Sequence, residues 1–249
     1  MLKEMNRIAL ISDIHGNMPA LEATLQDIKQ RNIETIFCLG DLVGKGPHSE
    51  QAVDICREVC DVVIQGNWDD FITQETDKGA FQWHRQRLGK ERLDYLKNLP
   101  LSIDFHMSGK QVRLFHASQI GVHYRVRMHD PENKHLAMFE NTSFTGNHFE
   151  ANVVGYGDIH RAYVMNYKHK MLFNVGSVGN PLDFTQASYA ILEGKYNSTD
   201  ADTFSVNLIR VPYDVELAIQ HAVDEKMPEL DPYSLELRTA IYRGAASKS

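Results

Sequence analysis

The sequence predicts an α/β fold of four layers, αββα, in which two central mixed sheets face each other and helices lie outside. Three observations carry this reading. The early chain repeats an apolar run, a polar turn and an amphipathic stretch. The later chain changes to a succession of closely spaced strand-like runs. Polar residues able to hold a metal stand just after the apolar runs, never inside them. Alternating strand and helix signals imply parallel strands joined by crossover helices. In such sheets function collects at the loops leaving the carboxyl ends of strands.

Taken in order, Arg7–Ser12 reads as a buried strand, and Asp13-Ile14-His15-Gly16-Asn17 as a polar turn. A helix follows, with Pro19 in its first turn and Leu21, Leu25 and Ile28 along one face. Thr35–Leu39 is a second strand, ending in Gly40-Asp41. Ser49 is placed to cap a helix whose Ala52, Ile55, Cys56 and Val59 face inward. Asp61–Gln65 is a third strand, ending in Gly66-Asn67. A helix is expected over Lys90–Asn98, then strands at Leu101–Phe105 and Gln111–His116. Residues 117–150 are rich in His, Asn and Met and show little periodicity, which suits a lid or irregular insertion. Strands resume at Ala151–Tyr156, Ala162–Tyr167 and Met171–Val175, and Tyr189–Leu192 with Phe204–Val211 form a closing meander. Two helices are expected to follow. Asp214 would cap the first, Asp231-Pro232 would open the second and Gly244 would close it. With no repeat or linker, residues 1–249 read as one domain.

Composition narrows the functional classes. A chain of 249 residues with 43% hydrophobic residues can bury a core without disulfide or metal staples. Its net charge of −7 argues against stable binding to nucleic acid, yet allows a small phosphorylated substrate held by local cations. The first apolar run stops at Asp13, too soon for an export signal, and no run approaches the roughly 18 apolar residues of a membrane span. The three cysteines, Cys38, Cys56 and Cys60, form no CxxC motif and suit packing in a reducing cytoplasm.

The residues after the strands are Asp13 and His15, Asp41, Asn67, His116, and Asp158 with His160. Each is unremarkable alone, since a histidine after a strand is commonly a hydrogen-bonded loop residue. Together they would converge on one end of a sheet and form a mixed nitrogen and oxygen cage. Such donors suit Mn, Fe, Zn or Mg, and the lack of thiolates argues against a structural zinc site.

Asp13-Ile14-His15, Gly40-Asp41, Gly66-Asn67-Trp68-Asp69, His116 and Gly157-Asp158-Ile159-His160 resemble the ordered motifs of the calcineurin-like metallophosphoesterases. Gly40–Pro47 and Asn174–Pro181 resemble a small bacterial branch that contains phosphodiesterases and diadenosine-tetraphosphate-hydrolase-like enzymes. The resemblance implies a site for two divalent ions, with Mn favoured. Asp13, His15 and His160 would hold the first. Asp41 would bridge, and Asn67, His116 and Asp158 would hold the second. A metal-activated hydroxide would attack a small phosphorylated substrate, such as a phosphodiester or a dinucleoside polyphosphate. Asp69 would orient a ligand. Arg161 would neutralise phosphate charge with its fork, unless it is a solvated surface residue.

Two positions depart from the family pattern. Trp68 stands where a histidine is usual, and indole cannot shuttle a proton. Packing or stacking is its expected use, with His48, His84, His123 or Arg161 as other proton sources. Asp158 stands where a histidine ligand belongs, and its charge beside Asp41 is expected to weaken the second metal. On that reading Asp158→His would raise turnover and metal occupancy. Arg125 and Arg127 could form a cationic rim on the substrate side, with a solvated surface the expected reading. The alternatives are a protein Ser/Thr phosphatase, weakened because Gly44-Lys45-Gly46 replaces that group's arginine-bearing motif, and a weakly active or silent binding protein.

Overall fold

The computed structural model describes residues 5–76 and 79–244. Strands β1 (Asn6–Ile11), β2 (Thr35–Cys38) and β3 (Val62–Val63) run parallel. Strands β9 (Ala187–Gly194) and β10 (Ser205–Val211) extend the sheet antiparallel, in the order β10-β9-β1-β2-β3. The second sheet contains β4 (Ser102–Met107), β5 (Lys110–Phe115), β6 (Val153–Tyr156), β7 (Tyr163–Tyr167) and β8 (Lys170–Asn174). Its order is β4-β5-β6-β8-β7, with a parallel centre and an antiparallel strand at each edge. Two mixed five-stranded sheets flanked by helices are the architecture expected from the alternation.

Period-two alternation along the strands builds the layers. Ile8, Leu10, Phe37, Ala190 and Leu192 of the first sheet meet Val112, Leu114, Val153 and Phe173 of the second. The intervening residues Ala9, Ile11, Ile36, Cys38 and Tyr189 face outward instead. They pack with the helices α1 (Met18–Gln30), α2 (Ser49–Val59) and α4 (Gly79–Lys97) through Leu21, Ile28, Val53, Cys56, Leu88 and Leu96. Each such side chain, fully buried, contributes about 1.5–3 kcal/mol.

Several boundaries differ from expectation for identifiable reasons. The α1 helix starts where the Asn17 side chain accepts from the Ala20 amide. Ser49 does not cap α2 from outside. It is the first helical residue, and its Oγ accepts from the Gly44 amide at 3.0 Å. A helix α3 (Asn67–Thr73), not expected from the sequence, begins at Asn67 because Asp69 accepts from the Gly66 amide and starts it. Gly89, at φ 69°, divides α4, and the expected helix at Lys90 is its second half. The β3 strand is only Val62–Val63.

Residues 117–150 are irregular except for α5 (Glu132–Ala137). They do not form a lid standing clear of the body. Val126, Met138 and Phe139 are buried against Phe115, Val154, Tyr156 and Leu172, so this segment is packed on the outer face of the second sheet. Asp214 caps α6 (Val215–Asp224) by accepting from the Leu217 amide at 2.9 Å. The last helix, α7 (Leu230–Thr239), opens one residue before Asp231 and closes at Ala240 in a left-handed conformation, not at Gly244.

Candidate metal centre

Because β1, β2 and β3 are parallel, their carboxyl ends deliver Asp13, Asp41 and Asn67 to one edge. The parallel pair β5 and β6 delivers His116, Asp158 and His160 to the same place. The sheets are tied there by His116 Nδ1 donating to the Leu39 carbonyl across 2.7 Å. The loops turn sharply. Asp13, His15, Asp41, Asp158 and His160 all have φ between 49° and 64°, a region costly for side chains other than glycine. Gly66 permits the close approach of two such loops, since a Cβ there would lie 2.2 Å from Asp41 Oδ1.

Three imidazoles spend one nitrogen on the backbone. Nδ1 of His15 is 2.9 Å from the Val43 carbonyl, and Nδ1 of His160 meets the Asn180 carbonyl, as His116 does with Leu39. A carbonyl only accepts, so each Nδ1 carries the proton and each Nε2 faces the common centre. His160 Nε2 lies 3.2 Å from Asp13 Oδ1 and 3.2 Å from His15 Nε2. His15 Nε2 is 3.6 Å from Asp41 Oδ2, and His116 Nε2 is 3.5 Å from Asp41 Oδ1. Two overlapping donor groups result, Asp13 with His15 and His160, and Asp13 with Asp41 and His116.

All these groups are buried, and their charges interact strongly. Burial would raise the Asp13 pKa, but His160, His116 and His15 outweigh it and hold the carboxyl well below its usual range. Burial, Lys45 and His160 push His15 down. Burial also works against a charged His116, yet Asp41, Asp13 and Asp158 lift its pKa well above the ordinary value. Asp13 Oδ1 and His116 Nε2 are buried without a hydrogen-bond partner. Orphaned buried polar atoms need compensation, and divalent cations fit this donor set of imidazole nitrogen and hard oxygen.

Asp158 points into the centre, but its carboxylate is already engaged. Arg125 holds it with two bonds, Nε to Oδ2 at 2.8 Å and Nη2 to Oδ1 at 2.6 Å. Asn67 Nδ2 donates to Oδ1 at 2.9 Å, which leaves the Asn67 amide oxygen as its donor atom. The expected excess negative charge beside Asp41 is therefore matched by Arg125. This residue is exposed, as the sequence suggested, yet its fork is clasped to the site.

Asp69 is fully buried, and its oxygens accept from the backbone amides of Asp41, Leu42 and Gly66 at 2.7–3.0 Å. These bonds hold the loop carrying Asp41, so the expected orientation of a ligand is exerted through the backbone. Burial and the neighbouring Asp41 raise its pKa to about 7. Trp68 stacks on Phe81 and sets its ring edge toward His15, with Gly44 beneath it. His84 is buried behind Ser49 and His123 pairs with Asp70, while His48 faces His221.

A cavity of about 360 Å³ opens beside Asp158 and His160. Lys45, Arg125, Arg127 and Arg161 line it. Arg161 thus stands at the cavity, where its Nη2 donates to the Leu182 carbonyl over a long 3.4 Å. Burial lowers the Lys45 pKa to about 8, against the pull of Glu236. Sequence reasoning missed His129 and the tail residues Ile241 and Tyr242, which also line this space. His129 and Arg125 lie in the aperiodic segment, where no spacing marks them.

This fold, with donors at five strand ends facing a cationic cavity, defines a metallophosphoesterase-like protein. Residues 6–197 match the calcineurin-like phosphoesterase superfamily domain, and the chain belongs to that superfamily. It is 31% identical to the uncharacterized protein MJ0912 of Methanocaldococcus jannaschii, over 92% of this chain and 96% of that one. The fold is similar to a metallophosphoesterase from Sphaerobacter thermophilus, with TM-score 0.74 and 23% identity, covering 95% of this chain and 99% of that one. It is equally similar to the hypothetical protein PH1004 of Pyrococcus horikoshii, with TM-score 0.74 and 20% identity over 95% and 98% of the two chains. No helix among the described residues is long and apolar enough to cross a membrane.

Proposed function

We propose that this protein is a divalent-metal-dependent phosphoesterase acting on small phosphorylated substrates, of the phosphodiester or dinucleoside polyphosphate type. The observation that carries this is the pair of overlapping buried donor groups opening on a cavity lined by four cationic side chains. Asp13, His15 and His160 would hold one ion, Asp41 would serve both, and Asn67 and His116 would hold the second with Asp158 beside them. Manganese suits these donors. When bound, such ions supply Lewis acidity toward phosphoryl oxygens and bring the pKa of water toward neutrality.

The chain's own residues do the rest. Nδ1–H bonds to backbone carbonyls keep the imidazoles in one tautomer. Asp69 holds the Asp41 loop in its left-handed turn. Arg125, Arg161 and Lys45 bind and orient the anion, with the guanidinium forks matching paired phosphate oxygens. Residues 1–249 act as one unit, and the free thiols Cys38, Cys56 and Cys60 suit a cytoplasmic enzyme.

The test is turnover of bis(p-nitrophenyl) phosphate by protein stripped of metal and reloaded with Mn²⁺, with metal content read by elemental analysis. Mn-dependent turnover, lost together with metal in His160→Ala, is expected. A metal-free protein that hydrolyses equally well would overturn the reading. So would a loaded protein inert to both diesters and dinucleoside polyphosphates.

A further inference from the structure

Residues 240–244, which follow α7, stay against the body. The chain turns back at Ala240, whose φ is 54°, and runs past the cavity. Glu236, fully buried on α7, holds the return. Its Oε1 accepts from the Arg243 amide at 3.0 Å and from Arg243 Nε at 2.9 Å, and its Oε2 accepts from Arg243 Nη2 at 2.9 Å. Glu229 takes Arg243 Nη1 at 2.7 Å. The same Glu236 accepts from Asn180 Nδ2 at 3.2 Å, and Asn180 Oδ1 accepts from Lys45 Nζ at 2.7 Å. The tail is thus fastened to the wall of the cavity through a continuous polar chain.

Between the two anchors stand Ile241 and Tyr242, each 51% exposed although large and apolar. Gly244 makes room for the tyrosine, since a Cβ there would lie 2.6 Å from the Tyr242 ring. Both side chains line the cavity whose other walls carry Lys45, Arg125, Arg127 and Arg161. An apolar, aromatic wall against a cationic wall fits an anion that also bears a flat ring.

We infer that Ile241 and Tyr242, held by the Glu236–Arg243 clasp, form a specificity wall that selects phosphate esters whose non-reacting group is a flat aromatic or nucleobase-like ring. This rests on the phosphoesterase reading and names its substrate class. The ring would lie on Tyr242 and Ile241 while the phosphate faces the arginines, so the wall adds affinity without touching the reacting atoms. Losing one aromatic stacking partner costs about 1–3 kcal/mol, which predicts an effect of roughly 5- to 150-fold.

The experiment compares the full-length Mn-loaded protein with its Ile241→Ala/Tyr242→Ala variant. Bis(p-nitrophenyl) phosphate and methyl p-nitrophenyl phosphate share a leaving group and differ in the retained one. The ratio of kcat/KM for the aryl over the methyl ester is expected to fall about tenfold in the variant. Calorimetric binding of AMP against inorganic phosphate gives a readout without turnover. AMP is expected to bind tighter than phosphate in the parent, and the preference is expected to vanish in the variant. Unchanged ratios in both measurements overturn the wall. Should neither ester be hydrolysed, nor a dinucleoside polyphosphate, the phosphoesterase reading fails, and the AMP preference alone decides the wall.

Discussion

Arg113 and Arg125 each grip an aspartate with two guanidinium nitrogens, and the remainder of each guanidinium is used differently. Arg113 faces Asp104 across the β4–β5 hairpin and is fully buried. Nε and Nη2 hold the carboxylate at 2.8 and 2.7 Å, and other N–H groups go to the Glu140 and Phe149 carbonyls and to Asn141. Arg125 holds Asp158 in the same way, yet its side chain is 42% exposed, and Nη1 has no hydrogen-bond partner among the described residues. The closed pair locks the 117–150 segment to the second sheet. The open pair fixes a cation at the rim of a cavity and leaves donors facing it. A paired arginine is structural or functional according to its unspent N–H groups, not its pairing.

Removing the closed fork should have the larger effect on folding. Arg113→Ala strands a buried carboxylate and should cost about 3–5 kcal/mol of stability, read as the shift of a urea midpoint. Arg125→Gln also loosens a buried carboxylate, Asp158, but glutamine keeps a donor for it and the fork is partly solvated, so the loss of stability should be smaller. The substitution should instead lower kcat/KM for an anionic diester by roughly 10- to 100-fold, about the worth of a charge-assisted contact. Equal losses of stability in the two variants would erase the distinction between the pairs.

A third cation sharpens it. Lys45 is charged below its lowered pKa of about 8 and neutral above it. Its attraction for an anion should therefore be present at pH 7 and fade as pH rises through about 8. Lys45→Arg stays charged throughout, so its kcat/KM profile should lose that decline. The smallest effect is expected at Asp158→His. Arg125 already offsets the carboxylate charge, so metal occupancy measured by elemental analysis should not rise. A gain in both occupancy and turnover would restore the view that the carboxylate weakens the second ion.

The comparison also marks what could be read from the sequence. Strands ending in Asp13, Asp41, Asn67, His116 and His160 were legible because apolar runs stop abruptly at polar residues, and parallel pairing then brings those ends together. Arg125 was noticed as a candidate for the substrate-side rim, but its grip on Asp158 was not legible. It lies in a segment without periodicity, and its partner is 33 residues away in sequence. Asp69 was noticed, but its three backbone amides become visible only when α3 is seen to begin at Asn67. The tail wall was missed because it depends on Glu236, which reads as an ordinary surface residue of a helix and is buried only by its tertiary partners.

The left-handed turns at Asp13, His15, Asp41, Asp158 and His160 bear on how such a protein could be engineered. Each position would fold more comfortably as glycine, by about 1 kcal/mol. A library selected on melting temperature alone would drift toward glycine or asparagine at these five sites. It would return a sturdier sandwich with the donors gone. Thermostability screens on this scaffold therefore need a metal-binding filter from the first round, because the substitutions that relax the backbone are the ones that remove the candidate donors.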